Sequence, residues 1–222
     1  MRILLVDHAC CDPPHSRAHH LRTALAGLDV VASVCGPASV STLESPSPGL
    51  HGIHLHDVAA ASRMLLAAVR DGAAEAFLTA TATVPSRLLG LVRETARQMI
   101  AEAVDMLDPD AIFVVHAGIL ADLAIETGAP VVVHVSAADL AAAASRPSLR
   151  RLVRAAVGSS GTVVAADEPT ATELARHWLA ADAIADGRCE TWPFAPDEAI
   201  SVLTACRRAV GRRLAATGRD DA

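Results

Sequence analysis

The stretch AIFVVHAGILADLAIETGAPVVVHVS, residues 111–136, decides the fold that the sequence predicts. Two short apolar runs, AIFVVHA and PVVVHVS, stand at its ends, and a helical pattern fills residues 119–127 between them. Gly128 marks the end of the helix and Pro130 opens the second apolar run. Two continuously apolar strands joined by a helix are typical of a βαβ unit, whose parallel strands are covered by helices on both faces.

The same alternation of apolar strands and helical patterns continues along the chain. A helical pattern over 15–27 places Leu21, Leu25 and Leu28 on one face. The remaining runs with the composition of buried strands are RILLVD (2–7), VVASVC (30–35), GIHLHDV (52–58) and TVVAAD (162–167). We therefore predict a doubly wound α/β fold built on a parallel sheet.

Three other segments complete the predicted organisation. Residues 36–50 are rich in Ser, Pro and Gly and are expected to form a surface loop. Segment 60–107 has an almost continuous helical pattern, in which Pro85 starts a second helix. Residues 197–216 form a last helical pattern. Its predicted cap is Asp197, and its predicted apolar stripe consists of Val202 or Leu203, Cys206, Val210 and Leu214.

Composition excludes several classes of function. The chain has 222 residues, 52% of them hydrophobic but only 2% aromatic, so stacking on nucleic-acid bases has few side chains to use. A net charge of −6 argues against general attraction to nucleic acid or anionic lipid. We interpret the arginine-rich helix 146–154 as a solvated amphipathic helix rather than a membrane-docking surface. No transmembrane segment or signal peptide is expected, and the five cysteines are expected to be reduced thiols of a cytoplasmic protein.

The predicted sheet also selects candidate site residues, because ligands of such folds bind beyond the carboxyl ends of the strands. The residues that satisfy this rule are the loop 7–16, His116 to Gly118, His134 to Asp139, and Asp167 with Glu168. Each also has a structural interpretation. His116 could be a core histidine, Ser136 and Asp139 could cap a helix, and Glu168 before a proline could open one.

The opening loop, VDHACCDPPHSRAHH (6–20), is unusually rich in side chains that bind ligands. We predict a ligand loop in which His8, Asp12 and His15 contact an acceptor molecule, while Arg17 lies at a helix N-terminus that favours anions. The alternative is a metal site built from His8, Cys10, Cys11, Asp12, His15 and His19. Adjacent cysteines lack the C-x-x-C spacing of such sites, so we expect no metal and no cofactor here.

Read together, the strand ends resemble the N-terminal, acceptor-side Rossmann domain of the GT-B retaining glycosyltransferases of the family 4 type. The segments that carry the resemblance are MRILLVD, DPDAIFVVHAG (108–118), ETGAPVVVHVSAADL (126–140), the helix and strand at 146–174, and CETWPFAPD (189–197). The resemblance implies a domain over 1–196 and a C-terminal helix and tail, 197–222, that packs on that same domain.

The resemblance also implies a function. An acceptor, either a small molecule or a glycan, would bind between the opening loop, His116, Gly118 and Ser136, with Asp139, Asp167 and Glu168 nearby. Ser136, His134 and His116 would be the catalytic residues of glycosyl transfer from a nucleotide sugar. The family's donor domain has no counterpart after Asp197, so a separate donor-binding subunit or a second copy of the chain is expected to complete a component that is inactive alone.

The sequence departs from the family pattern at two places. Pro13 and Pro14 stand where the family has a Gly-Gly pair, and Ser136 stands where it has its catalytic-site histidine, with His134 two residues earlier. The loss of the family histidine favours an alternative, a non-catalytic binding or regulatory subunit that kept the fold. A small metal-dependent enzyme that uses the opening loop is a third interpretation.

Overall fold

The computed structural model describes residues 1–8, 17–38, 49–54, 65, 74–179, 181–192 and 198–220. Predictions that fall on the rest of the chain lie outside the described residues. These include the roles of Cys10, Cys11, Asp12, His15 and Asp197, the proline pair of the opening loop, most of the loop 36–50 and the end of the strand predicted at 52–58.

The described residues form a seven-stranded sheet in which every neighbouring pair of strands is parallel. The strands are β1 Arg2–Val6, β2 Val31–Ala38, β3 Leu50–His54, β4 Ala111–Val114, β5 Val131–Val135, β6 Thr162–Ala165 and β7 Cys189–Thr191. Their order across the sheet is β3-β2-β1-β4-β5-β6-β7. The predicted doubly wound α/β fold, Rossmann-like and with a C-terminal helix, is confirmed.

Helices connect and cover these strands. They are α1 Arg17–Ala26, α2 Ala74–Thr83, α3 Ser86–Leu107, α4 Ala121–Glu126, α5 Ala137–Ser145, α6 Pro147–Ser159, α7 Glu168–His177, α8 Ala181–Ala185 and α9 Glu198–Asp220. Pro85 precedes the first residue of α3, as predicted. Gly128, with φ of 79°, ends the connection after α4 in a conformation that glycine adopts without strain. Within the part of the chain that the structure describes, every helix is too short or too polar to span a bilayer.

Strand alternation divides the core into two layers, one on each face of the sheet. In β1, Ile3 and Leu5 point to the face covered by α1 and α9, which we call the α1/α9 layer. Leu4 and Val6 point to the opposite face, where α2 to α7 form the covering layer. All four side chains are fully buried, so β1 lies at the centre of the molecule.

The C-terminal helix α9 packs on β4, β5 and β6. Val202, Leu203 and Cys206 are buried there as predicted, but Leu214 is 67% exposed, so the predicted stripe is wrong at its far end. Ala205 and Ala209 complete the buried face instead. No described residue after Ala209 is buried, because the last turns of α9 extend beyond the core.

The chain order fixes where a ligand can bind. From β1 the chain moves to β2 and β3 on one side and then crosses to β4 on the other side. Where the helices that follow two neighbouring strands leave in opposite directions, a crevice opens at the carboxyl ends of those strands. This crevice is the usual ligand site of the architecture. The carboxyl ends of β1 and β4 are therefore the place to look for a site.

Candidate functional site

A cluster of ionisable side chains lies at this crevice. Asp7 and His8 follow β1, His116 follows β4, His134 is in β5, and Asp139 is in the first turn of α5. We call these five residues the edge cluster. Four of them are buried, and the side chain of His116 is 12% exposed. Buried ionisable groups are costly without partners, so their contacts define what the site can do.

Asp7 is the anchor of the cluster on the β1 side. Its Oδ1 accepts a hydrogen bond of 2.7 Å from the backbone N–H of His8 and lies 2.7 Å from His8 Nδ1. Its Oδ2 accepts from the backbone N–H of Ala18 at 3.4 Å. Burial alone would raise the pKa of Asp7, but the contacts with His8 and the charge of His116 outweigh it and lower that pKa to about 2. Asp7 is thus a carboxylate that holds the first turn of α1.

Ser136 and Asp139 form a capping box at the start of α5. Ser136 donates from its backbone N–H and from its hydroxyl to Asp139 Oδ2, each at 2.7 Å, and its Oγ accepts from the backbone N–H of Asp139 at 3.3 Å. One carboxylate oxygen is therefore committed to the helix. The other, Oδ1, faces His116 Nδ1 at 3.5 Å.

The pairing of His116 with Asp139 shifts both groups toward their charged forms. Burial lowers the pKa of His116, but the carboxylates of Asp139 and Asp7 more than compensate and raise it above its usual value. Burial raises the pKa of Asp139, but His116 and the hydrogen bonds from Ser136 bring it below its usual value. The pair can hold a proton, or another cation, between Nδ1 and Oδ1.

His134, unlike His116, is held in its neutral form. Its Nδ1 lies 2.9 Å from the carbonyl oxygen of Val115 and 3.4 Å from Arg17 Nη1. Because a carbonyl can only accept, the shorter contact assigns the ring N–H to Nδ1. Burial and the positive charge of Arg17 lower the pKa of His134 to about 3, so its ring is neutral at physiological pH.

Arg17 connects the edge cluster to the C-terminal helix. Its Nε donates to Glu198 Oε1 at 2.6 Å, and its Nη2 lies 2.5 Å from the same oxygen. Arg17 is the first residue of α1 and Glu198 is the first residue of α9. This ion pair ties together the two helices that cover one face of the sheet. Arg17, which the sequence predicts to bind an anion, therefore already has a carboxylate partner.

The three histidine rings of the cluster form a row. The centroids of His8 and His116 are 4.8 Å apart and those of His116 and His134 are 6.2 Å apart, with the rings edge to face in both pairs. His8 also lies 5.3 Å from the ring of Phe77 in the core. His116 is therefore the central ring, and the carboxylates of Asp139 and Asp7 both lie close to it.

The remaining predicted site residues lie in different places. Gly118 lies beside His116, donating its N–H to the His116 carbonyl at 2.8 Å, and a side chain there would come within 3.1 Å of Leu78. Asp167 is the exposed N-cap of α7, accepting from the N–H of Thr170 at 2.8 Å, and Glu168 is the exposed first residue of that helix. Asp167 lines a groove of about 370 Å³ between α5, α6 and α7 and does not join the edge cluster.

Sequence reasoning missed two members of this network. The sequence prediction contains Asp7 only as the first residue of the loop 7–16, although its position as the first polar residue after β1 is a signal for a site residue. Glu198 was not a candidate, because its partner Arg17 is 181 residues away in the sequence. No local pattern reveals a pairing at that separation.

Comparison with known proteins identifies the fold. No protein-family profile matches the chain, and no curated protein sequence matches it. The fold matches a solved structure of sucrose-phosphate synthase from Thermosynechococcus elongatus. That match has a TM-score of 0.53 at 12% identity and covers 94% of this chain and 98% of that one. UDP-GlcNAc 2-epimerase from Neisseria meningitidis, bound to UDP-GlcNAc, matches with a TM-score of 0.49 at 14% identity, over 86% of this chain and 46% of that one. The chain thus has a GT-B-like Rossmann fold.

Proposed function

We propose that this chain is the acceptor-side domain of a glycosyl-transfer system that uses a nucleotide sugar. The observation that carries the proposal is the edge cluster, which lies at the topological switch point of a sheet whose fold matches sucrose-phosphate synthase over 94% of the chain. A donor-binding subunit would close over this crevice and bring the nucleotide sugar to the acceptor. A second copy of the chain is the alternative partner.

The exposure of each residue in the edge cluster indicates which residues can contact an acceptor and which can only position others. His116 and Ser136 are partly exposed, so they can contact an acceptor hydroxyl at the rim of the crevice, beside Gly118. Asp139 would orient both, since one of its oxygens accepts from Ser136 and the other faces His116. His134 is fully buried, so its part would be to position Arg17 and the end of β4.

Transfer activity of the chain with its donor subunit tests this proposal. The chain is purified together with its partner, and transfer to candidate acceptors is measured for the wild type and for His116→Ala. Loss of a side chain that positions the reacting hydroxyl is expected to lower kcat/KM by about 100-fold. The matched control is His177→Ala, an exposed histidine on α7, which should leave the rate unchanged. Equal rates for wild type and His116→Ala would contradict the proposal.

A further expectation concerns the chain alone. In the family that the sequence resembles, the nucleotide sugar is held by the other domain. Calorimetry with nucleotide sugars is therefore expected to show no tight binding to the isolated chain. Micromolar binding would mean that the edge cluster is a donor site instead.

One observation favours the second candidate, a non-catalytic binding subunit. Ser136 replaces the family's catalytic histidine, and its hydroxyl takes part in the capping box of α5. In that case the chain would bind the acceptor or regulate its partner without joining the reaction. His116→Ala would then weaken acceptor binding by the chain and leave the transfer rate at saturating acceptor unchanged. The metal-dependent interpretation of the opening loop falls mainly on residues outside those described.

A further inference from the structure

We propose that the edge cluster binds one divalent transition-metal ion, of the Zn²⁺ or Co²⁺ type, through His116, His134 and Asp139. Its proposed ligands do not include the cysteines of the opening loop, and the proposal does not depend on the proposed transfer reaction. Two imidazoles and one carboxylate are a donor set that such ions accept, with a further position left for another ligand.

The geometry of the three side chains supports a shared ion. One ligand atom from each of His116, His134 and Asp139 lies within 4.8 Å of the others. His116 Nδ1 and Asp139 Oδ1 are 3.5 Å apart, close to the ~3.4 Å that separates two ligands of one tetrahedral zinc.

Two of these atoms face each other as an ion pair but have no hydrogen-bond partner among the described residues. His116 Nδ1 and Asp139 Oδ1 are buried and form no hydrogen bond with any part of the chain that the structure describes. Asp139 is only 1% exposed. Burying a polar atom without a hydrogen-bond partner is unfavourable, and an ion between the two atoms would give both of them a partner.

The surrounding hydrogen bonds are those that hold metal ligands in place. Ser136 occupies Asp139 Oδ2 through two donors, so the carboxylate is fixed with Oδ1 turned toward His116. His134 Nδ1 lies 2.9 Å from the carbonyl of Val115, the contact by which metal-binding histidines usually fix their tautomer. Both contacts orient the side chains before an ion arrives.

The charges of the site favour a dication. Arg17 is paired with Glu198, whose carboxylate offsets its positive charge. With neutral histidines, the edge cluster then carries the two negative charges of Asp7 and Asp139, both buried. A single divalent cation balances these two charges. The two buried negative charges argue against an anion at this position.

A second set of side chains, Asp7, His8 and His116, also has ligand atoms within 4.8 Å of one another. Asp7 is less suited to bind the ion, because Oδ1 accepts from the His8 backbone and Oδ2 accepts from Ala18 in α1. The ion is therefore placed on the Asp139 side of His116, and Asp7 contributes through its charge.

The test uses the full chain, stripped with a chelator and titrated with Co²⁺ and with Zn²⁺. Visible absorption of Co²⁺ reports the ligand set, and calorimetry gives affinity and stoichiometry. We expect one ion per chain and a rise in melting temperature with Zn²⁺. His116→Gln and His134→Asn should each weaken binding by tenfold or more. The exposed control His177→Gln and the double change Cys10→Ser with Cys11→Ser should leave it unchanged.

Each outcome of the titration decides the proposal. Failure of the wild-type chain to bind either ion overturns it. So does binding that survives both histidine changes, or binding that is lost only when the cysteines of the opening loop are changed. Circular dichroism of each variant establishes that it is folded. If the His134→Asn variant does not fold, the His116→Gln variant tests the proposal alone, because His116 is more exposed than His134. None of these readouts requires transfer activity, so the metal site and the proposed function fail separately.

Discussion

At the scale of single residues, Ser136 shows how a candidate catalytic side chain can also be part of the fold. Its Oγ accepts from the backbone N–H of Asp139 and donates to the carboxylate of the same residue. An N-terminal cap satisfies backbone N–H groups that have no partner inside the helix. A change at Ser136 must therefore affect the start of α5, whatever it does to a ligand.

The first prediction concerns this cap. Ser136→Ala removes both hydroxyl contacts and is expected to lower the free energy of unfolding by ~1 kcal/mol. The measurement is urea denaturation followed by circular dichroism. Ser145→Ala is the control, since Ser145 lies at the other end of α5 and its exposed hydroxyl donates only to the Ala142 carbonyl. Equal stabilities of wild type and Ser136→Ala would show that the capping box contributes nothing.

The second prediction concerns the neutral ring of His134. Its pKa is about 3 in the folded chain against 6.5 as the ordinary value, because the ring is buried and Arg17 is close, with His116 and Asp139 also facing it. The unfolded chain therefore takes up a proton below pH 6.5 that the folded chain resists. The stabilising contribution is complete above pH 6.5 and is lost as the pH falls toward 3.

The measurement is the free energy of unfolding between neutral pH and the start of acid unfolding, in the presence of a chelator. His134→Asn keeps a side-chain N–H for the Val115 carbonyl but cannot titrate. The variant should show a smaller loss of stability with acid, by up to about 1.4 kcal/mol per pH unit. Parallel curves for the two proteins would mean that His134 does not govern this slope.

The sequence predicts much of the site at this scale but few of its contacts. The alternation of apolar strands and helices is enough to place His116, His134, Ser136 and Asp139 at one edge of the sheet. The burial of His134 and the pairing of Arg17 with Glu198 depend on how distant helices pack. Side-chain packing of that kind leaves no periodic trace in the sequence.

At the scale of elements, α9 is the piece that completes one face of the sheet. Val202, Leu203 and Cys206 pack into the α1/α9 layer with side chains of β4, β5 and β6. The sequence predicted this helix from its apolar spacing, but placed Leu214 on the buried face as well. A helix that is longer than the sheet beneath it keeps the same spacing after it leaves the core, so spacing alone could not locate the end of the contact.

The third prediction compares two identical substitutions on this helix. Leu203 is 7% exposed and Leu214 is 67% exposed. Leu203→Ala removes a buried side chain and leaves a cavity, so the free energy of unfolding should fall by about 2–5 kcal/mol. Leu214→Ala should change it by less than about 0.5 kcal/mol. Thermal and urea denaturation give both values. A large effect at Leu214 would show that the end of α9 is covered, for example by a second copy of the chain.

At the scale of the whole molecule, the two core layers share the same strands. Each strand contributes alternate side chains to both faces, as Ile3 and Leu4 do in β1. One layer therefore cannot lose its packing without exposing strands that support the other. The Arg17–Glu198 ion pair adds a link between the first and last helices, α1 and α9. This arrangement predicts that the chain unfolds as one cooperative unit.

The two tryptophans allow that prediction to be tested layer by layer. Trp178 is buried in the layer formed by α2 to α7. Trp192 packs on the α1/α9 layer and stacks on Phe113, with ring centroids 6.4 Å apart. Trp178→Phe leaves a reporter for the α1/α9 layer, and Trp192→Phe leaves one for the opposite layer.

In each single-tryptophan variant, fluorescence and circular dichroism are followed through the same urea titration. We expect the two signals to share one midpoint within each variant, because both layers depend on the same strands. Comparison within a variant removes any effect of the substitution on overall stability. A fluorescence transition of Trp192 at lower urea than the loss of helix signal would show that the α1/α9 layer separates first. The edge cluster would then lose Arg17 and Glu198 while the rest of the sheet remained folded, and ligand binding there would depend on the docking of α9.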